Sequence, residues 1–474
     1  MSCKKDKIFN EDPSTTLSLS KDEILFDTVF STIGSTTKMF WVKNPTNNKL
    51  RISSAYLAGG QSSNYRINID GNASLSQTNI DIEPNDSIFI FVKVTVDPQN
   101  SNSPMVVRDS IMFEVNGNRQ RVLLTAWGQD AHYIVANKSI GSLKYKIVAA
   151  ENENITWVND KPYLIYGYAV VDSVGRLNID PGCRIHFYNR SGMWVYKGGC
   201  LKVNGTKNDS VVFQGSRLES TYKAVPGQWD RIWINEGSVD NEINYAIIKN
   251  GFIGIQAETM NSSMGNQLKI NNTIIANMTG MGIFTKFYKI TAGNLLVYNC
   301  GSYAICLTTG GNYDFRHCTV GNYWDLSTRQ TSSLVLSNYY EDPYTLTTYS
   351  GDLIKAFFGN CIIYGSIEEE ITLANRTDLG AQFNYKFQNC LLKTLYTNYT
   401  PANYISCTAN VDPLFADSKN HVYTLLSGSG AINLGNKSIV TYGQLQMLDI
   451  SSDLKGNNRL GIQTPDAGCY QFIP

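Results

Sequence analysis

One short phrase recurs through the middle of this chain, and it limits the fold more than any other feature. It reads Tyr-Ala-Ile-Ile-Lys-Asn at Tyr245–Asn250 and Asn-Thr-Ile-Ile-Ala-Asn at Asn272–Asn277. It returns as Asn-Leu-Leu-Val-Tyr-Asn at Asn294–Asn299 and His-Cys-Thr-Val-Gly-Asn at His317–Asn322. Two further copies are Asn-Cys-Ile-Ile-Tyr-Gly at Asn360–Gly365 and Asn-Cys-Leu-Leu-Lys at Asn389–Lys393. Successive starts lie 27, 22, 23, 43 and 29 residues apart. A period in the twenties is a solenoid signal. The long step of 43 marks an inserted or poorly matched coil between Tyr323 and Phe358.

Each copy is a short aliphatic run, which suits a strand and is too brief for a helix. One strand per coil cannot bury its own apolar face. Stacked on the next coil at roughly 4.8 Å, it can. Asn and Gly then fall at corners that need left-handed backbone. These are the requirements of a parallel β-helix, with Cys318, Cys361 and Cys390 stacked as small buried hydrophobes. The ten cysteines leave an odd number once Cys3 is set apart, so free buried thiols are expected, with no zinc spacing among them.

The 40 basic and 40 acidic residues cancel, so nothing suggests a nucleic-acid surface. Charged residues are only 17%, while Tyr numbers 28 and Gly 38, a balance that fits an extracellular all-β protein. No apolar window of about 18 residues is present for a transmembrane helix.

Residues 18–130 have a different rhythm. Strand-like runs at Glu23–Phe30, Thr37–Lys43, Leu50–Leu57, Tyr65–Ile69, Ser87–Val96, Asp109–Val115 and Gln120–Trp127 are separated by turn residues. Seven short strands in about 110 residues predict a β-sandwich. Asn116-Gly117 predicts a two-residue hairpin. Lys38–Asn47, Ile82–Val96 and Ser110–Gly128 make this section similar to immunoglobulin-like domains of the abnormal-spindle/hydin type. That resemblance implies a spacer or docking module.

From residue 131 the solenoid begins. Gly175–Phe187, Gly199–Phe213 and Gly227–Ile234 resemble the opening coils of right-handed β-helix proteins in the pectin-lyase-like superfamily. The tail resembles their closing segment at Val411–Phe415, Ser429–Gly435, Asp453–Arg459 and Pro465–Tyr470. It departs from the usual form with Gly430 for a Pro and Gln471 for a final Glu. The expected architecture is thus all-β: a tether over 1–17, an Ig-like sandwich over 18–130, and a right-handed parallel β-helix over 131–474 whose end is capped from about 411.

At the N-terminus, Ser2-Cys3-Lys4-Lys5-Asp6 resembles the mature start of a bacterial lipoprotein. Its Lys-Lys-Asp looks like the signal that sends lipoproteins of the Bacteroidota to the cell surface. That resemblance implies lipid on Cys3, a flexible leash over Lys4–Asp12 and outer-membrane anchoring. Asp-Thr-Val at Asp27, and Asp-Ser-Ile or Asp-Ser-Val at Asp86, Asp109, Asp172 and Asp209, resemble an O-glycosylation motif of the same group. They equally suit ordinary turn-to-strand junctions.

For chemistry, superfamily members that cleave polysaccharides use Ca²⁺ on clustered carboxylates with an Arg or Lys base, or two to three Asp on neighbouring coils. This ladder offers Asn, Thr and Ile instead. His317, beside Arg316 and Asp314, is the one candidate proton handler, with Asp325 and Asp352 near it in sequence. A buried corner is the plainer expectation for His317. Trp229 and Trp233 are expected as core or corner aromatics. Glu368-Glu369-Glu370 is expected as a solvated turn. The polar, Tyr-rich break at Ser327–Tyr349 is the expected binding element, with Tyr339, Tyr340, Tyr344 and Trp324 as stacking residues. The expected function is a non-catalytic surface lipoprotein that presents the β-helix to a glycan or protein partner, with no cofactor. The alternatives are a polysaccharide lyase or hydrolase, the lyase with Ca²⁺, and a subunit of an outer-membrane β-barrel protein complex.

Overall fold

The computed structural model describes residues 9–98, 105–259, 267–395, 402–445, 448–461 and 464–474. By contacts it divides into two compact units, residues 1–131 with 218–223, and 132–217 with 224–474.

The first unit is a sandwich of two five-stranded sheets. One orders Ser18–Leu19, Lys38–Lys43, Ser87–Val94, Tyr65–Ile69 and Asn72–Ala73, all antiparallel. The other orders Glu23–Phe30, Asn118–Gln129, Met105–Val115, Leu50–Leu57 and Ser76–Ile82, with its first pair parallel. Alternating residues such as Ile88, Ile90 and Val92 face inward beside Phe26, Phe40 and Phe113. Asn116 and Gly117 have φ of 47° and 83°, as a tight two-residue hairpin requires. Asn44 is fully buried, and its Nδ2 donates to the carbonyls of Asn48, Ile82 and Glu83. The segment from Phe9 is no leash. The Asn10 amide donates to Lys49 O at 2.7 Å, and Asn116 Nδ2 donates to Asn10 O and Asp12 O. The motif Asp side chains at 86, 109 and 172 each accept from the next residue's amide, the geometry of a turn-to-strand junction.

The second unit is a right-handed parallel β-helix, a single 27-stranded sheet from His132–Val135 to Thr408–Ala409. The repeated phrase stacks in register: Ile248, Ile275, Val297, Val320, Ile363 and Leu392 form one inward column, each at most 2% exposed. Burying such a side chain contributes about 1.5–3 kcal/mol, and the column repeats that gain at every coil. The first residue of each copy (Tyr245, Asn272, Asn294, His317, Asn360, Asn389) has φ between 46° and 54°. Asn meets that demand at low cost, and its amide also links coils. Asn294 Nδ2 donates to Asn272 Oδ1 at 2.9 Å, and Asn299 Nδ2 to Asn277 Oδ1 at 2.7 Å. The step of 43 is one enlarged coil: Phe315 pairs with Phe358 and Thr319 with Ile362 across it. The nine described cysteines are all unpaired, and eight are buried.

Two further expectations need correction. The described residues of 411–474 do not merely close the end. They run back along the outside of the coils, where Phe415, Tyr423, Leu425, Ala431 and Cys469 pack on Leu296, Ile362 and Leu391. This strap includes a helix, Lys437–Leu445, whose start is capped by Asn436 Oδ1 accepting from the Ser438 amide. The acidic run is no solvated turn either. Glu370 is fully buried against Arg329, and Glu369 accepts from Thr394 Oγ1 and the Leu395 amide.

Candidate functional site

The break in the ladder builds a projection. After the coil strand Leu334–Ser337, the chain forms a hairpin of Tyr339–Glu341 with Thr348–Ser350. Asp342 organises its turn by accepting from the amides of Tyr344 and Thr345, both at 2.9 Å. The Thr345 and Tyr344 amides hold this carboxyl below its ordinary range. Asn338 Nδ2 ties the hairpin base to Asn375 Oδ1 at 2.8 Å. Tyr340 lies under Lys286, whose ammonium is 4.1 Å from the ring centre. Burial raises the Tyr340 phenol above its ordinary pKa.

Between this hairpin and the coils is a cleft of about 760 Å³, within the ordinary range for ligand sites, about 300–1,000 Å³. Its coil wall comes from strand corners. Glu258 and Lys286 are direct neighbours across two strands, and Lys286 pairs in turn with Thr308. Phe287 and Thr309 follow at corners with φ of 46° and 60°. The hairpin side gives Asp342, Tyr349 and Asp352. Glycines allow the two sides to meet. A Cβ on Gly310 would lie 2.3 Å from Gly351 O, and one on Gly351 would lie 2.5 Å from Thr309 O. Among the described residues, three carboxylates therefore line the cleft against one ammonium. Thr309 is only 9% exposed, and its hydroxyl has no hydrogen-bond partner. An orphaned buried hydroxyl costs about 1–3 kcal/mol, so it asks for an explanation.

Glu258 also reaches the outer face of the same sheet. Val170, Trp194, Trp233, Gln256, Phe284, Cys306, Val335 and Thr372 form one outward column in register. Trp194 and Trp233 stack with centroids 5.0 Å apart and 13° between planes. Trp233 Nε1 donates to Glu258 Oε1 at 2.6 Å, and Gln256 Nε2 donates to Glu258 Oε2 at 3.0 Å. Glu258 therefore joins the indole platform to the cleft. Trp229 is core at 1% exposed, whereas Trp233 stands half-buried on the outside.

The catalytic candidates lie elsewhere. His317 is fully buried, with Nδ1 3.3 Å from Gly468 O and Nε2 2.8 Å from Asn360 Nδ2. Burial, with Arg459 and Arg316 nearby, holds its pKa well below the usual value. It is a corner residue sealed by the strap, so it has no route to a polymer. Asp314 accepts from Arg316 Nε at 2.7 Å and from Lys355 Nζ at 2.6 Å, and Arg316 also donates to Ile439 O. Of Asp314, Asp325 and Asp352, only Asp352 lines the cleft, because the register sets Asp314 opposite Phe357. Tyr344 is 94% exposed at the hairpin tip, Tyr339 faces Arg376, and Trp324 donates to Ser327 Oγ. None of these three lines the cleft, nor does Tyr340, whose ring supports Lys286 at its edge. Cys3 lies outside the described residues. Among the described residues no group of three or more His, Cys, Asp or Glu is placed to hold a metal ion.

Glu258, Lys286 and Thr309 carried no sequence signal of their own, whereas Tyr349 lies in the Tyr-rich break singled out above. Glu258 falls eight residues after Asn250 and Lys286 nine after Asn277, so pairing them required the register to one residue.

No family model matches the chain, and no curated protein matches it. Among solved structures it is similar to a family 123 glycoside hydrolase from Clostridium perfringens, at 11% identity over 23% of each chain and a TM-score of 0.17. It is similar to the ASH/PapD-like domain 7 of human CEP192, at 11% identity over 28% of this chain and 99% of that one, TM-score 0.18. It is also similar to the catalytic unit of a thermostable GH87 alpha-1,3-glucanase from Streptomyces thermodiastaticus strain HF3-3. There the identity is 10%, over 78% of this chain and 87% of that one, with a TM-score of 0.23. The chain spans 23% of the first of these structures. With TM-scores this low, the likenesses carry no argument about activity.

Proposed function

We propose that this protein is a non-catalytic carbohydrate-binding β-helix whose site is the cleft under the Tyr339–Ser350 hairpin together with the Trp194–Trp233 platform. The observation that carries this reading is the double engagement of Glu258, which is bonded to the outward indole and lines the cleft. Stacked rings beside fixed carboxylates suit a sugar, which offers an apolar face and a rim of hydroxyls. The resemblance of the coils to the pectin-lyase-like superfamily points the same way. The carboxylates are already committed: both Glu258 oxygens accept bonds, Asp342 holds its turn, and Asp352 Oδ1 accepts from the Gln382 amide at 2.8 Å. Hydrolysis needs one carboxyl free to donate a proton and one free to attack or activate water.

A second reading, glycoside hydrolysis, is favoured by one observation: three carboxylates and a lysine line a single cleft. Calorimetric titration of neutral, amino and acidic oligosaccharides, followed by product analysis, separates the two. Binding without turnover is expected, and weakening of it by Trp233→Ala supports the site. New reducing ends or unsaturated products at catalytic rates would overturn the non-catalytic reading. Lipid on Cys3 and outer-membrane anchoring remain part of the proposal on the strength of the Ser-Cys-Lys-Lys-Asp motif. An unmodified Cys3 in the mass spectrum of native protein would remove them.

A further inference from the structure

Among the described residues the lining of the cleft is unbalanced, and its one cation is already engaged. Lys286 pairs in register with Glu258 and rests over the Tyr340 ring. Lys286 also favours the ionised Asp342 carboxyl, so one ammonium is shared among three carboxylates and the described lining keeps net negative charge. The amide hydrogen bonds to Asp342 and Asp352 orient these carboxylates without cancelling their charge. Phe287 and Tyr349 add ring surface, which attracts an ammonium and packs against a pyranose face.

From this combination we propose that the cleft selects saccharides bearing a free amine, of the glucosamine type, over N-acetylated and uronic-acid sugars. This rests on the carbohydrate-binding reading and narrows it. An ammonium in this cleft meets net negative charge. A uronate there meets like charge, and an acetamide brings no charge at all. Asp352 contributes to charge selection.

The test is calorimetric titration of the full chain with three tetrasaccharides: β-1,4-linked glucosamine, its fully N-acetylated counterpart, and tetragalacturonate. At pH 6 and low salt the amine is expected to bind at least tenfold tighter than the acetamide, with the uronate weakest. Raising salt should shrink that ratio, because the preference is electrostatic. Asp352→Asn keeps an oxygen for the Gln382 amide, and it should lose most of the preference while retaining binding. Equal binding of amine and acetamide, or tighter binding of the uronate, overturns the selectivity and leaves the carbohydrate reading standing. No binding by any of the three overturns both.

Discussion

Arg329 Nη2 and Glu370 Oε1 meet at 2.6 Å with side chains 1% and 0% exposed. The pair closes the enlarged coil that carries the hairpin. Arg329 also donates to Asn322 O, and Glu370 accepts from the Ser333 and Ile367 amides. Both charges are desolvated, so the pair is worth little against an apolar pair but costs much to break. Glu370→Gln or Arg329→Met alone should destabilise the β-helix by about 3–5 kcal/mol. The double change should recover part of that loss. Chemical denaturation of the four proteins checks it, and simple addition of the two single losses would refute the coupling.

His317 gives a pH dependence with a defined sign. Burial holds its folded pKa well below the ordinary 6.5, so below about pH 6.5 the unfolded chain takes up a proton that the folded chain refuses. Its stabilising contribution is complete above that pH and falls as pH drops. His186 acts in the same direction, its folded value pushed down to about 4. Asn occupies the same corner in neighbouring coils, with φ of 49–54° against 50° for His317. His317→Asn should therefore remove about 1.4 kcal/mol per pH unit from the acid-side slope while changing stability at pH 7.5 by about 1 kcal/mol or less. Urea unfolding between pH 7.5 and 4.5 measures it. An unchanged slope would show that His317 is not the group responsible.

These two residues also show what could be seen in sequence. The corner at His317, the Asn columns and the sandwich strands Leu50–Leu57 and Tyr65–Ile69 are set by local demands, namely φ, alternation and turn chemistry, and are legible residue by residue. The break at Ser327–Tyr349 was legible as the place to search. The lining of the cleft was not, because Glu258, Lys286 and Asp352 come together only through coil register and the position of a hairpin. Arg329–Glu370 and the strap were hidden for the same reason. Charge runs and closing motifs indicate polarity and chain end, and neither encodes the surface on which they pack.

The buried thiols should be chemically silent in the native protein. Burial pushes Cys300, Cys306 and Cys469 up to about 12, and the thiolate is the reactive form. The Cys407 thiol is also held well above its ordinary range, by its hydrogen bond with Cys390 and by burial, but it is the one described cysteine that is partly exposed and should react first on access alone. Alkylation followed by peptide mass mapping should find the other eight labelled only after unfolding. Reductant should leave the unfolding temperature unchanged. Rapid native labelling of Cys306 would contradict its burial.

The strap depends on a glycine in the ladder. Gly321 pairs with Tyr298 and Tyr364 on adjacent coils, and a Cβ there would lie 2.4 Å from Tyr423 Cε1. Tyr423 is 2% exposed and packs among Tyr298, Tyr323 and Phe415, so its ring has no room to retreat. Gly321→Ala should cost about 1–3 kcal/mol through overpacking. It should also lift residues 411–474 from the coils, exposing the strap to protease before the coils unfold. Adding Tyr423→Leu removes the ring and should restore part of the stability and the protection. Equal protease sensitivity of Gly321→Ala and the unsubstituted chain would mean that the strap is held without this contact.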